Sequence, residues 1–144
     1  MAMLAWPHNR VVRTMCSARV SEEMVLEAFR CGAPVVLVSG CHFSDCHYID
    51  ANRQTVKRVY RLWNYLEKRG IRPERLQLDW ISAAEGPKFQ KTMNQMEELR
   101  QTVTAEEIEH TMKVLAEEEE KKRQRKLKQQ QKREQAAAAE VRTA

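Results

Sequence analysis

Ala33-Pro34-Val35-Val36-Leu37-Val38-Ser39-Gly40-Cys41-His42 decides the fold. Residues 33–39 are apolar almost without a break, as in a strand covered on both faces of a parallel sheet. The run empties into Gly40-Cys41-His42-Phe43-Ser44-Asp45-Cys46-His47-Tyr48. There two cysteines stand five apart, each is followed by a histidine, and Asp45 lies between them. Soft and borderline ligands gathered at the end of a buried strand read as a metal or iron–sulfur site. The plainer reading is two buried structural cysteines beside two surface histidines.

Upstream, residues 10–15 are β-rich around Val11 and Val12 and predict a first strand that ends at Cys16. Ser21 predicts an N-cap, with Glu22 and Glu23 suited to the positive end of the helix that follows. Val25, Ala28 and Phe29 share one face of that helix, and Gly32 closes it. Downstream, Asp50 predicts a cap for a helix with the apolar stripe Val56, Val59, Tyr60, Trp63 and Leu66, closed by Gly70. Residues 75–82 alternate Leu76, Leu78 and Trp80 with Gln77 and Asp79, the mark of a half-buried strand near a sheet edge. Glu85-Gly86-Pro87 predicts a turn with Pro87 at the start of a helix, whose Phe89, Met93, Met96 and Leu99 face inward.

Thr104-Ala105-Glu106-Glu107 is a capping box for a last helix through Ile108, Met112 and Leu115. Beyond Glu117 the apolar face is gone. Pairs such as Glu117–Lys121 and Glu118–Lys122, at about 0.2–0.5 kcal/mol each, would carry the helix on until it frays from Gln129. The order βαβαβα predicts an α/β fold: a small Rossmann-like three-layer domain with a short parallel sheet, followed by a long charged C-terminal helix. The expected division is residues 10–103 for the domain and 104–144 for the tail.

The chain has 144 residues, a net charge of +5 and a pI near 9.2. Much of the excess sits in residues 121–135, with eight Lys/Arg against one Glu. Such a tail can attract nucleic acid or anionic lipid, but it contains no aromatic residue to stack on bases, which argues against nucleic acid. No apolar stretch reaches transmembrane length, and the first eight residues lack the basic and apolar regions of a signal peptide. A cytoplasmic location follows as the expectation, and four cysteines there point to metal or redox chemistry rather than disulfides.

Ligands gather at the carboxyl ends of parallel strands. Cys16 and Cys41 each lie just past such an end, and Cys46 is in the loop that leaves it. Cys31 precedes strand 33–39 and belongs to the opposite rim, roughly 20 Å away at 3.3 Å per residue. Three thiols remain for a site that normally takes four ligands, so His42, His47 or a cysteine of another polypeptide would complete it, around zinc or an iron–sulfur cluster. Position six after Cys16 holds Glu22 rather than the arginine a phosphatase loop needs, and the four glycines form no phosphate-binding loop.

Four segments resemble the iron–sulfur (delta) subunit of methyl-viologen-reducing hydrogenase, a unit also found attached to heterodisulfide reductase proteins. They are Arg10-Val11-Val12-Arg13-Thr14-Met15-Cys16-Ser17-Ala18-Arg19-Val20, Val36-Leu37-Val38-Ser39-Gly40-Cys41-His42, Asp45-Cys46-His47-Tyr48-Ile49 and Trp80-Ile81-Ser82-Ala83-Ala84-Glu85-Gly86-Pro87-Lys88-Phe89. The resemblance covers about residues 10–100. It implies a [2Fe–2S] cluster held by cysteines in a cytoplasmic electron-transfer complex, between a hydrogenase or formate dehydrogenase and the flavin-containing subunit of heterodisulfide reductase. By position, Cys16, Cys41 and Cys46 are the family's cysteines here. Family members carry a further strand and a Cys-x-x-Cys element before the Met-Cys-Ser motif, so the chain is expected to be N-terminally short of the family. The competing expectation is a zinc-stabilised or metal-free interaction module that has lost cluster binding.

Overall fold

The computed structural model describes residues 9–143. Helix α1 (Glu22–Arg30) starts where Ser21 predicts: its hydroxyl accepts the Met24 N–H at 3.1 Å, which supplies a partner for one of the donors a helix start leaves unpaired. Val25 and Phe29 are buried from it. It stops at Gly32, whose φ of +85° only glycine adopts without strain. There the Ala33 N–H reaches back to Ala28 O and the Gly32 N–H to Phe29 O, both at 3.0 Å, the double bond of a Schellman ending.

Strand β1 (Val36–Gly40) pairs in parallel with β2 (Leu76–Trp80), in register from Val36 opposite Leu76 to Gly40 opposite Trp80. Helix α2 (Ala51–Glu67) joins them. One core gathers Val25 and Phe29 of α1, Val38 of β1, Val59, Leu62 and Leu66 of α2, Leu76 of β2, and Leu115 from the last helix. On the other face lies α3 (Gly86–Thr102), where Thr92 Oγ1 donates to Asp79 Oδ2 at 2.7 Å and Met96 is buried. The fold is a small α/β unit of helices, a two-stranded parallel sheet and a further helix.

Several expectations need correction: the Asp50 side chain makes no capping hydrogen bond to α2, and Phe89 is 42% exposed rather than inward-facing. Residues 10–15 form no strand; Val11 and Val12 are 87% and 72% exposed. β-branched residues favour a pleated surface, but a strand exists only with a partner edge, and among the described residues this run pairs with none. β1 begins at Val36 rather than residue 33, because the carbonyls of Ala33 and Pro34 are taken by the Arg75 guanidinium, at 3.3 and 2.6 Å. The buried stripe of α2 runs through Leu62, while Tyr60 is 58% exposed. Trp63 sets that rotation by donating its indole N–H to Leu76 O at 2.8 Å.

Helix α4 (Ala105–Thr143) opens on the predicted capping box. The Thr104 N–H donates to Glu107 Oε2 at 2.9 Å and the Glu107 N–H to Thr104 Oγ1 at 3.2 Å. Among the described residues its buried side chains are Thr111 and Leu115. Past Leu115 the contacts with the rest of the chain among the described residues include ion pairs and a tyrosine hydrogen bond. Glu118 pairs with Arg69 at 2.7 Å and accepts the Tyr65 hydroxyl, Glu119 lies 3.6 Å from Arg30, and Lys122 lies 3.3 Å from Glu23. Glu118 and Lys122, expected to pair with each other along the helix, instead tie it to α2 and α1. From residue 123 to 134 every side chain is exposed.

Arg75 closes the amino end of the sheet. It is 1% exposed and, besides Ala33 and Pro34, donates to Thr111 Oγ1 at 2.6 Å and Glu107 O at 3.3 Å. One buried cation thereby joins β2, the entry to β1 and α4. Arg75→Met should keep the volume but strand those carbonyls at about 1–3 kcal/mol each. The urea midpoint of unfolding is expected to fall clearly, and an unchanged midpoint would contradict this role.

The seat of α4 should also be acid-sensitive. Hydrogen bonding from Arg69 holds the Glu118 carboxyl below its ordinary value of 4.5, and Arg30 does the same for Glu23. A carboxylate with a depressed folded pKa adds stability that is complete above its unfolded pKa and is lost as pH falls through the folded one. Melting temperature is therefore expected to drop as pH is lowered below about 4.5, with a shallower slope in Glu118→Gln. Equal slopes would argue against the contact.

Candidate functional site

The carboxyl end of β1 delivers Cys41 and His42 to the rim of the sheet. Cys41 is half-buried. Its pKa is raised, chiefly by burial and next by the Cys46 thiol lying against it, while Asn52 acts in the other direction. Cys46 follows the 3₁₀ turn Phe43–Asp45. That turn is held to the end of β2 by an edge contact between Phe43 and Trp80, with centroids 5.0 Å apart. The way into α2 is tight: Ile49, a β-branched residue, has φ of +53°, a conformation such residues rarely take.

Cys16 reaches the same rim from another segment. It caps the 3₁₀ turn Ser17–Arg19, and its carbonyl accepts the Arg19 N–H at 2.9 Å and the Thr14 hydroxyl at 3.2 Å. The turn lies hard against Gly40. A Cβ at Gly40 would stand 2.8 Å from both Cβ and Oγ of Ser17 and 3.1 Å from the Trp80 ring. Glycine here is required by close approach.

His42 is held by a carboxylate through one ring nitrogen, which leaves Nδ1 as the atom that could meet a metal. Its Nε2 lies 2.6 Å from Glu85 Oε2, which also accepts the Ser82 N–H at 2.7 Å. That backbone bond first, and His42 second, draw the Glu85 carboxyl down to about 2. His47 is exposed, edge-on to Tyr48. Cys31 caps the far end of α1, exposed, with its Sγ 3.7 Å from Glu27 Oε1.

The residues that build the rim include several that pattern reading passes over. Asn52 and Thr55 are 0% and 1% exposed. Asn52 Nδ2 donates to Cys41 O at 2.6 Å, with its Oδ1 4.0 Å from the Cys41 sulfur. The Thr55 hydroxyl lies 3.1 Å from both Ser17 Oγ and Ala51 O, so its one proton goes to the carbonyl and its oxygen accepts from Ser17. A signal for them exists: Asn52, Thr55, Val59, Leu62 and Leu66 recur at spacings of three and four, so two polar residues sit on the core stripe itself.

The match to known proteins covers this region. The family described as methyl-viologen-reducing hydrogenase, delta subunit, matches residues 1–103. The chain belongs to that family. Over 96 residues it is 47% identical to a component of the ferredoxin:CoB-CoM heterodisulfide reductase of Methanosarcina mazei, covering 66% of this chain and 12% of that one. Over 88 residues it is 46% identical to the vhc iron-sulfur subunit of the F420-non-reducing hydrogenase of Methanococcus voltae, covering 61% of each. Over 91 residues it is 44% identical to the iron-sulfur subunit of the F420-non-reducing hydrogenase of Archaeoglobus profundus, covering 63% and 66%. The chain thus spans under two thirds of these hydrogenase subunits and about an eighth of the heterodisulfide reductase component. These relatives are named as parts of oxidoreductases. Among the described residues, no helix is long and apolar enough to cross a membrane.

Two adjacent thiols suit one soft metal ion. A cluster held by four thiolates asks for more than the rim assembles: among the described residues no three His, Cys, Asp or Glu side chains come together to hold a metal. Cys16 shares the rim with the pair without joining it, and the described residues as folded do not by themselves fit a [2Fe–2S] group.

The close contact at Gly40 gives a test. Gly40→Ala should force apart the segments bearing Cys16 and Cys41, at about 1–3 kcal/mol for overpacking. Gly86→Ala, where an added Cβ meets nothing within 4 Å, should be neutral or slightly stabilising. Equal melting temperatures for the two variants would refute the close-approach argument.

Proposed function

We propose that this chain is an electron-transfer subunit that links a hydrogenase or formate dehydrogenase to the flavin-containing subunit of heterodisulfide reductase in the cytoplasm. The single observation that supports this most is the family match over residues 1–103 falling on the Cys41–Cys46 thiol pair at the rim. Relatives carrying the words "iron-sulfur subunit" favour an iron–sulfur group. The reading assigns it a [2Fe–2S] cluster with Cys16, Cys41 and Cys46 as its ligands from this chain. A fourth ligand would come from His42 through Nδ1, its Nε2 being held by Glu85, from His47, or from a cysteine brought by another polypeptide. In this reading residues 10–103 are the working unit and residues 104–144 a charged extension.

The absence of a three-ligand group among the described residues favours a second reading, an interaction module that is zinc-stabilised or metal-free. Anaerobic purification separates the two. Visible absorbance bleached by dithionite, with iron and acid-labile sulfide in matching amounts, is the expected result. A colourless protein with stoichiometric zinc, or with no metal, supports the second reading instead. Cys46→Ser is expected to lower iron content severalfold, while Cys31→Ser leaves it unchanged. Iron retention that depends on Cys31 would overturn the assignment of thiols.

A further inference from the structure

The sheet-facing stripe of α2 changes character along its length. Val59, Leu62 and Leu66 are core, whereas Asn52 and Thr55, on the same face and equally buried, are polar. A helix that merely covered a sheet would carry aliphatic residues there, since buried polar groups recover their lost hydration only through hydrogen bonds. Those bonds have a pattern. Asn52 Nδ2 donates to Cys41 O at 2.6 Å, and Thr55 Oγ1, whose proton goes to Ala51 O, is hydrogen-bonded to Ser17 Oγ at 3.1 Å. One turn on, Arg58 Nη1 donates to Ala18 O at 2.9 Å and to Val20 O at 2.6 Å. Three successive rungs on one helix, at i, i+3 and i+6, thus reach the segment that follows Cys16 and the residue Cys41 itself.

We infer that Asn52 and Thr55 are positioning residues that set the separation of the Cys16 and Cys41 thiols. The two segments are far apart in the chain and share no ladder bonds, so a common support is what fixes their spacing. Helix α2 is rigid over this distance and supplies that support. Gly40 lets the Ser17 turn close against the strand end, and Arg58 keeps the turn from lifting away. The inference deepens the proposed function, because it concerns the thiols which that reading puts to work.

The test uses the full chain without any cofactor. In a Cys31→Ser, Cys46→Ser background, nitroxide labels on Cys16 and Cys41 report their separation through dipolar broadening of the continuous-wave spectrum. Strong broadening is expected in the parent. Thr55→Val, which keeps the shape and removes the hydroxyl, should lose most of it, and Thr55→Ser should restore it. Asn52→Leu provides the second variant should Thr55→Val fail to fold, with helix content by circular dichroism as the check on folding. Broadening in folded Thr55→Val or Asn52→Leu equal to that of the parent overturns the inference, as does a loss that Thr55→Ser fails to restore. Because no metal is involved, a colourless protein in the preceding experiment leaves this result standing, and an unchanged spacing defeats it even in a protein that binds iron.

Discussion

A parallel pair of five-residue strands has two faces to cover and too few ladder bonds to stand alone. The helices packed on the sheet answer that shortage. On one face α1, α2 and the first turns of α4 bring Val25, Phe29, Val59, Leu62, Leu66 and Leu115 onto Val38 and Leu76. On the other, α3 brings Met96. The apolar contribution of Leu115 means that α4 is not merely appended: its start is seated in the same core as the strands.

Polar bonds then fix what apolar contact leaves loose, since hydrophobic burial has no direction. Trp63 bonds α2 to β2, and Thr92 bonds α3 to Asp79. Arg75 does most of this at the amino end, where its planar fork meets carbonyls from two segments and a hydroxyl from α4. Burial lowers the Arg75 pKa, yet a guanidinium stays charged, so its bonds are charge-assisted and hard to replace. The ionic contacts of Glu118, Glu119 and Lys122 lie nearer solvent, and exposed pairs of that kind contribute little individually.

Sequence reasoning succeeds here where structure is local. Ser21, Gly32, Gly70 and the box from Thr104 to Glu107 act on backbone groups within a few residues, and each does what its chemistry predicts. The strand read at residues 10–15 fails for the opposite reason. Val11 and Val12 state a preference, but a ladder needs a second strand, and pairing is not written into six residues. Asn52, Thr55 and Arg75 escape pattern reading because a polar residue in a helix or loop reads as solvent-facing by default. Their burial follows from partners 11, 38 and 41 positions away. For the candidate site, the end of β1 made Cys41 legible, whereas Cys16 was read from a strand that does not form and stands near Gly40 through the Ser17 turn instead. The supports that hold them, and the engagement of His42 by Glu85, were not legible.

The two ends of the sheet are closed by different chemistry, and the difference suits their uses. At the amino end a permanent cation is sealed under α4, with its bonds spent on carbonyls that need no further partner. At the carboxyl end the polar contacts from Asn52 and Thr55 are neutral and reach the Cys41 carbonyl, its sulfur and the Ser17 hydroxyl, while the thiols of Cys41 and Cys46 remain half-buried. Burial, and next the neighbouring Cys46, dispose Cys41 to the neutral form. A half-buried Cys41 thiol disposed to the neutral form would give up its proton on binding a metal, because ligation itself displaces the proton. The carboxyl end of β1 is thus ordered in its backbone while its sulfur atoms stay available to an incoming group.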